Sequence, residues 1–241
     1  FLIILMLGAM LVINGCGGDD DDDDNDNGGS GDGDDDATDH PNVDCDGDNC
    51  RLLGTVVDDL TLTANKNWIL SGGVFIGNDE DETVLTIEAG TYIFGEASTN
   101  GMLVITRGSK IYAEGTADAP IVFTSSKNDG ERARGDWGGL IINGRAPLNN
   151  CTIEDSDICE AVGEGGTGRY GGNDPDDSSG VLNYVRVEFA GRLISPENEL
   201  NGIAFQGVGR GTEIDYIQVH MNKDDGVEFF GGTAEAKHIV V

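Results

Sequence analysis

From residue 51 onward the chain alternates short apolar runs with small and polar turns. Gly202-Ile-Ala-Phe-Gln-Gly207 is echoed 24 residues later by Gly226-Val-Glu-Phe-Phe-Gly231. Ile214-Asp-Tyr-Ile-Gln-Val219 is followed 22 residues later by Ala236-Lys-His-Ile-Val-Val241. A strand in each copy of a repeat of about 20–25 residues is the pattern of a solenoid. The reading is all-β: a parallel β-helix over 51–241, each coil stacked on the last. A further match, at a spacing of 18, aligns Leu85-Thr-Ile-Glu-Ala-Gly-Thr-Tyr-Ile-Phe94 with Leu103-Val-Ile-Thr-Arg-Gly-Ser-Lys-Ile-Tyr112. It predicts Leu85 over Leu103, Ile87 over Ile105 and Ile93 over Ile111, with Gly90 and Gly108 at one shared turn.

Alternation within strands sets the faces. In Tyr184-Val-Arg-Val-Glu-Phe189 and Tyr216-Ile-Gln-Val-His-Met221 it turns Val185, Val187, Phe189, Ile217, Val219 and Met221 inward. Phe229 and Ile239 are expected to join that core. The 32-residue step between these strands leaves room for an insertion near 192–200. Residues 145–180 break the rhythm altogether. This glycine-, acid- and cysteine-rich excursion is expected to be a loop on one face, where solenoids often carry function.

Ahead of the solenoid the pattern changes twice. Residues 1–13 are almost wholly apolar, too few to span a bilayer, which needs about 20, but suited to the core of a signal peptide. Residues 1–15 are read as that signal, lacking its basic start. The chain opens without methionine and stops inside an apolar run, so both ends read as cuts. Ile13-Asn-Gly-Cys16 resembles a bacterial lipobox, although Asn14 departs from the usual small residue. The resemblance makes Cys16 the lipidated N-terminus of the mature protein and its acyl chains the contact with the membrane. Gly17, rather than Asp, after the cysteine implies sorting to the outer membrane, and the acidic run that follows is similar to surface-export signals. The expected place is the outer membrane, lipid-anchored and facing the exterior. Residues 16–50 are read as a disordered tether, because a stretch of Gly, Ser, Asn and Asp cannot bury enough surface to offset ordering.

Charge reinforces this division. The formal net charge is −31, and fifteen aspartates lie between Asp19 and Asp48 while all 14 basic residues lie from Arg51 onward. Such a surface repels nucleic acid and anionic membrane and attracts divalent cations or a basic surface. Beyond Cys16 the cysteines form two locally spaced pairs without any CxxC, Cys45 with Cys50 and Cys151 with Cys159. In an exported protein they read as disulfides; in a reducing compartment they would be four free thiols.

Several segments together carry a resemblance: Leu103-Val-Ile-Thr-Arg-Gly, Ala119-Pro-Ile-Val-Phe-Thr-Ser, Gly135-Asp-Trp-Gly-Gly-Leu, Gly171-Gly172 and Asp224-Asp-Gly-Val-Glu-Phe-Phe-Gly-Gly232. They are similar to a family of bacterial surface lipoproteins. The resemblance covers about 51–241 and implies a right-handed parallel β-helix of the pectin-lyase-like kind. It brings no established activity and no catalytic residues.

The candidate chemistry is sparse. Asp44, Asp46 and Asp48 alternate as in a calcium loop, without the glycine and glutamate of an EF-hand, and loosely resemble thrombospondin-type repeats. Asn173, Asp174, Asp176 and Asp177 form a second acidic turn that either binds Ca2+ or is a plain Asx-rich turn. Asn222-Lys-Asp-Asp-Gly226 is similar to the carboxylate segments of polygalacturonase-type hydrolases, yet the same residues suit a β-helix corner. Gly163, Gly165 and Gly168 match a dinucleotide fingerprint by letter only, since no strand precedes them and no helix follows. The functional expectation is a non-catalytic surface protein that binds a glycan or another surface molecule. The alternatives are a lyase or hydrolase of acidic polysaccharide and a structural subunit stacking end to end.

Overall fold

Three parallel sheets wrap around one apolar core. The computed structural model describes residues 38–153, 158–196 and 198–241, all within the compact unit 34–241. Each coil visits three faces in a fixed order. Face I stacks the beginning of Asn49–Val56, the beginning of Asn67–Ile76, then Tyr92–Gly95, Ile121–Ser125, 185–187, 217–219 and Ile239–Val240. Face II stacks 55–56, 73–76, Met102–Ile105, Leu140–Asn143, Ile203–Gln206 and Val227–Phe230. Face III stacks Leu60–Leu62, Val84–Ile87, Lys110–Glu114, 180–183 and 213–215, with a last bridge from Ile214 to Ala236. This is a right-handed parallel β-helix, the hand that right-twisted strands favour in parallel crossovers.

Alternation explains the core. Val74, Leu103, Leu140, Ile203 and Val227 form one inward row, and Cys50, Trp68, Ile93, Phe123, Val187 and Val219 another. Nearly all are fully buried. The pairs at 24, 22 and 32 residues stack as read: Ile203 on Val227, Ile214 on Ala236, Val185 on Ile217.

The 18-residue match does not stack. Leu85 pairs with Ile111 on face III, whereas Leu103 pairs with Val74 and Leu140 on face II. Both segments are a strand, a left-handed glycine and a second strand, with φ of 85° at Gly90 and 89° at Gly108. They are alike because both turn a corner, and they turn different corners. Phe189 and Met221 also leave the inward row: each has positive φ (60° and 55°), so the chain bends there and Ala190 fills the core instead. Phe229 faces Phe205, with ring centroids 5.0 Å apart, but is 44% exposed on the last rung of face II.

Tyr184, Tyr216 and His238 occupy the corner between faces III and I in three successive coils. All are left-handed, with φ of 49°, 50° and 48°. Their rings stack in register at 4.4 Å per step, with interplanar angles of 2° and 12°. Side chains rarely tolerate this backbone; here the strain is offset by stacking and by Asp215 Oδ1, 2.7 Å from His238 Nδ1.

Order begins before residue 51. Val43–Asp46 pairs antiparallel with the start of Asn49–Val56, Cys45 opposite Cys50, and the two cysteines are disulfide-bonded. A left-handed Gly47 makes the turn and Leu52 is buried beneath Val43, so the final residues assigned to the tether are strand. Cys151 and Cys159 form the second disulfide. The signal reading over 1–15, Cys16 and the tether as far as residue 37 lie outside the described residues.

Candidate functional site

The outer side of face II is apolar where water would be expected. Inward Val74 and Ile76 leave Phe75 pointing out, and Val104, Ile141 and Ala204 continue its row. These three are buried, with Phe75, Met102 and Phe230 packed around them. The cover comes from the 145–180 excursion, whose strands Glu160–Val162 and Arg169–Gly171 pair antiparallel around a short turn, Glu164–Gly166. The fingerprint-like glycines therefore serve a hairpin. It is stitched to face II by Gly171 N–H donating to Gly144 O (2.8 Å) and Asn143 Nδ2 donating to Thr167 O (2.7 Å). Tyr170 meets Phe230 edge to face.

Arg107 locks the hairpin in place. Its Nε and Nη2 donate to the two oxygens of Asp79 at 2.8 and 3.0 Å, while Nη1 donates to Glu160 and to Gly171 O. Burial works against this guanidinium's charge, but the two carboxylates outweigh it and raise its pKa.

The hairpin divides the face. On one side is a cleft of about 420 Å³ whose lining includes Thr55, Phe75, Asn78, Arg107, Asn143 and Arg169. Arg169 is 57% exposed and only loosely paired, 3.8 Å from Glu160. Asn143 is 1% exposed, and its Oδ1 has no hydrogen-bond partner. On the other side is an acidic cluster. Burial, then the neighbouring Glu228, Glu199 and Asp224, raise the pKa of Glu164. Burial also raises Glu228, against the bond from Asn201 Nδ2 at 2.7 Å, with Asp225 and Asp224 adding to the rise. The Tyr170 hydroxyl is raised by burial and by the same two glutamates.

Of the acidic residues singled out in the sequence, Asp224 and Asp225 act on this cluster, and the others lie away from it. Asp44 and Asp46 are exposed on the first strand, and Asp48 lies 3.8 Å from Lys66. Asp174 Oδ1 accepts from Asp176 N–H, Asp176 pairs with Arg210, and Asp177 Oδ2 accepts from Arg145 N–H. Asn173 and Asp174 border a recess beside Arg145. Among the described residues, no three His, Cys, Asp or Glu side chains converge to hold a metal. Asn222 Nδ2 donates to the carbonyls of Asp224 and Asp225, which closes a corner.

From sequence, the 145–180 excursion and Asp224-Asp225 pointed towards this face, but the cleft and the pair of glutamates were not singled out. Phe75 carried a signal, an aromatic residue at an outward position. Arg169 and Glu164 carried only their place in the 145–180 excursion, and Asn143 and Glu228 carried none, because only the folded excursion brings the four onto the same face.

A protein-family model described as a pectate-lyase like beta helix domain matches residues 54–241. No curated protein and no solved structure matches the chain.

Proposed function

The chain belongs to the pectate-lyase-like β-helix domain family, and from that premise we propose a lipid-anchored surface protein whose β-helix binds an anionic saccharide without cleaving it. One observation carries the reading: the cleft combines the Phe75 ring, the half-exposed Arg169 guanidinium and the unpartnered, buried Asn143 Oδ1. A sugar ring offers an apolar C–H face to the aromatic, hydroxyls to the amide oxygen and a carboxylate or sulfate to the guanidinium.

Soluble polygalacturonate, alginate and a sulfated galactan, titrated calorimetrically, test it. At least one should bind, and Arg169→Ala should weaken that binding about tenfold or more, as for a central charged contact. Equal affinity in the variant would sink the assignment. Arg169 is exposed enough that its truncation leaves the fold intact.

A second reading is favoured by Glu164 and Glu228, two interacting carboxyls that both hold protons above the ordinary glutamate range. Such a pair suits general acid catalysis on a glycosidic bond. The same incubations, assayed for new reducing ends, decide between the readings: product from the native chain and none from Glu228→Gln would favour a hydrolase.

The anchor rests on the lipobox-like Ile13-Asn-Gly-Cys16. In cells fed an alkyne-tagged fatty acid the native chain should label and Cys16→Ser should not; label retained in the variant would refute it.

A further inference from the structure

We infer that face I carries a second saccharide site, around Tyr92 and Phe94, which takes an uncharged glycan. Trp68 and Ile93 fill the inward row here, so the flanking positions Asn49, Asn67 and Tyr92, and then Ile69 and Phe94, point outward. Tyr92 is 49% exposed, with Phe94 beside it on the same strand. The two ring planes lie within 21° of each other, their centroids 6.3 Å apart. A recess of about 200 Å³ adjoins them, lined by Asn49, Asn67, Ile69, Phe94 and Ser126. Asn67 Nδ2 donates to Asn49 Oδ1 at 3.1 Å, which leaves one amide donor group and one amide acceptor turned to solvent. Aromatic faces beside paired amides are the two chemistries that a sugar presents, C–H surface and vicinal hydroxyls.

Charge selects the class. In a chain of net charge −31, the cations bordering this surface are matched. Arg51 is 2.6 Å from Glu96, Lys127 is 2.5 Å from Asp136, and Arg186 contacts Gln218 and Glu188. Lys66, beside Asn67, lies 3.8 Å from Asp48, but it also donates to Gly47 O and its side chain is 24% exposed, against 57% for Arg169 in the cleft, so it is the less available to an anionic sugar. A neutral glycan loses no ion pair on docking. The site uses neither Arg169 nor Asn143 and stands independently of the cleft.

Affinity electrophoresis of the intact chain through native gels containing mixed-linkage β-glucan, xyloglucan or galactomannan tests the site. At least one gel should retard the native chain relative to a blank gel. Tyr92→Ala and Phe94→Ala should each weaken the retardation about tenfold, while Arg169→Ala should leave it unchanged. If Phe94→Ala lowers the melting temperature, Tyr92→Ala and Asn67→Ala, both at exposed positions, carry the comparison. No retardation in any of the three gels would overturn the site. So would native retardation by the Tyr92→Ala/Phe94→Ala double variant, or an equal loss in Arg169→Ala.

Discussion

Truncating Trp137 to alanine should destabilise the β-helix by about 3–5 kcal/mol, the range for emptying a buried aromatic position. Trp137 is fully buried although it lies in a loop. On face I, Leu52 and Leu70 fill an inward row that continues as Gly95 and Ser125. The missing side chain at Gly95 leaves a gap, and the indole occupies it. A β-carbon on Gly95 would lie 2.4 Å from both Cγ and Cδ2 of Trp137. The indole is also anchored by Nε1 donating to Glu188 O at 2.7 Å and by the near-parallel Phe123 ring. Gly95→Ala should therefore cost about 1–3 kcal/mol through overpacking in the native background. In the Trp137→Ala background the clash with the ring is gone but residue 137 keeps its β-carbon, 2.5 Å from the added one, so the same change should cost less without becoming free. Urea unfolding of the four proteins measures this coupling. An unchanged cost of Gly95→Ala across the two backgrounds would refute the fit.

Asp136, one residue earlier, should make stability acid-sensitive. Burial alone would raise its pKa, but three donors more than offset that: Lys127 Nζ at 2.5 Å, Ala133 N–H at 2.9 Å and Ser125 Oγ at 2.7 Å. The folded pKa is therefore lowered. A carboxyl of this kind contributes stability that is fully present above the unfolded value of about 3.9 and is lost as pH falls through the lower folded value. At neutral pH, Asp136→Asn should cost about 2–3 kcal/mol, the scale of hydrogen bonds to a buried charged group. Melting temperatures of both proteins between pH 7 and pH 2 should show the gap holding to about pH 4 and closing below it. A gap constant down to pH 2 would remove the charge from the account.

What could be read beforehand follows from what each signal depends on. The inward rows depend only on strand alternation, so Val185, Val187, Ile217 and Val219 were legible. Coil register could be read wherever a coil carried a distinctive cluster, as with Gly202 and Gly226. It was misread at Leu85 and Leu103 because a strand–glycine–strand corner recurs more than once per coil. Phe189 and Met221 were misplaced because alternation cannot show where backbone turns left-handed. Residues 43–50 were assigned to the tether because their composition is acidic, whereas their cystine and the burial of Leu52 decide their structure. Phe75 could have been flagged from its outward position alone. The rest of the cleft depends on the hairpin of Glu160–Val162 and Arg169–Gly171 folding back across face II, and local pattern does not encode that return.

The face I positions Asn49, Asn67, Tyr92, Val122, Arg186, Gln218 and Val240 stack in register across steps of 18, 25, 30, 64, 32 and 22 residues. Closure entropy grows only with the logarithm of loop length, so a flexible 64-residue coil would cost about 1 kcal/mol more to close than the 22-residue one. The ladder is therefore nearly indifferent to how much chain leaves it between rungs, provided that the chain returns in register. The excursion that builds the cleft sits where lengthening is cheap, so a different excursion grafted between Asn143 and Gly180 would reshape the cleft and spare the scaffold.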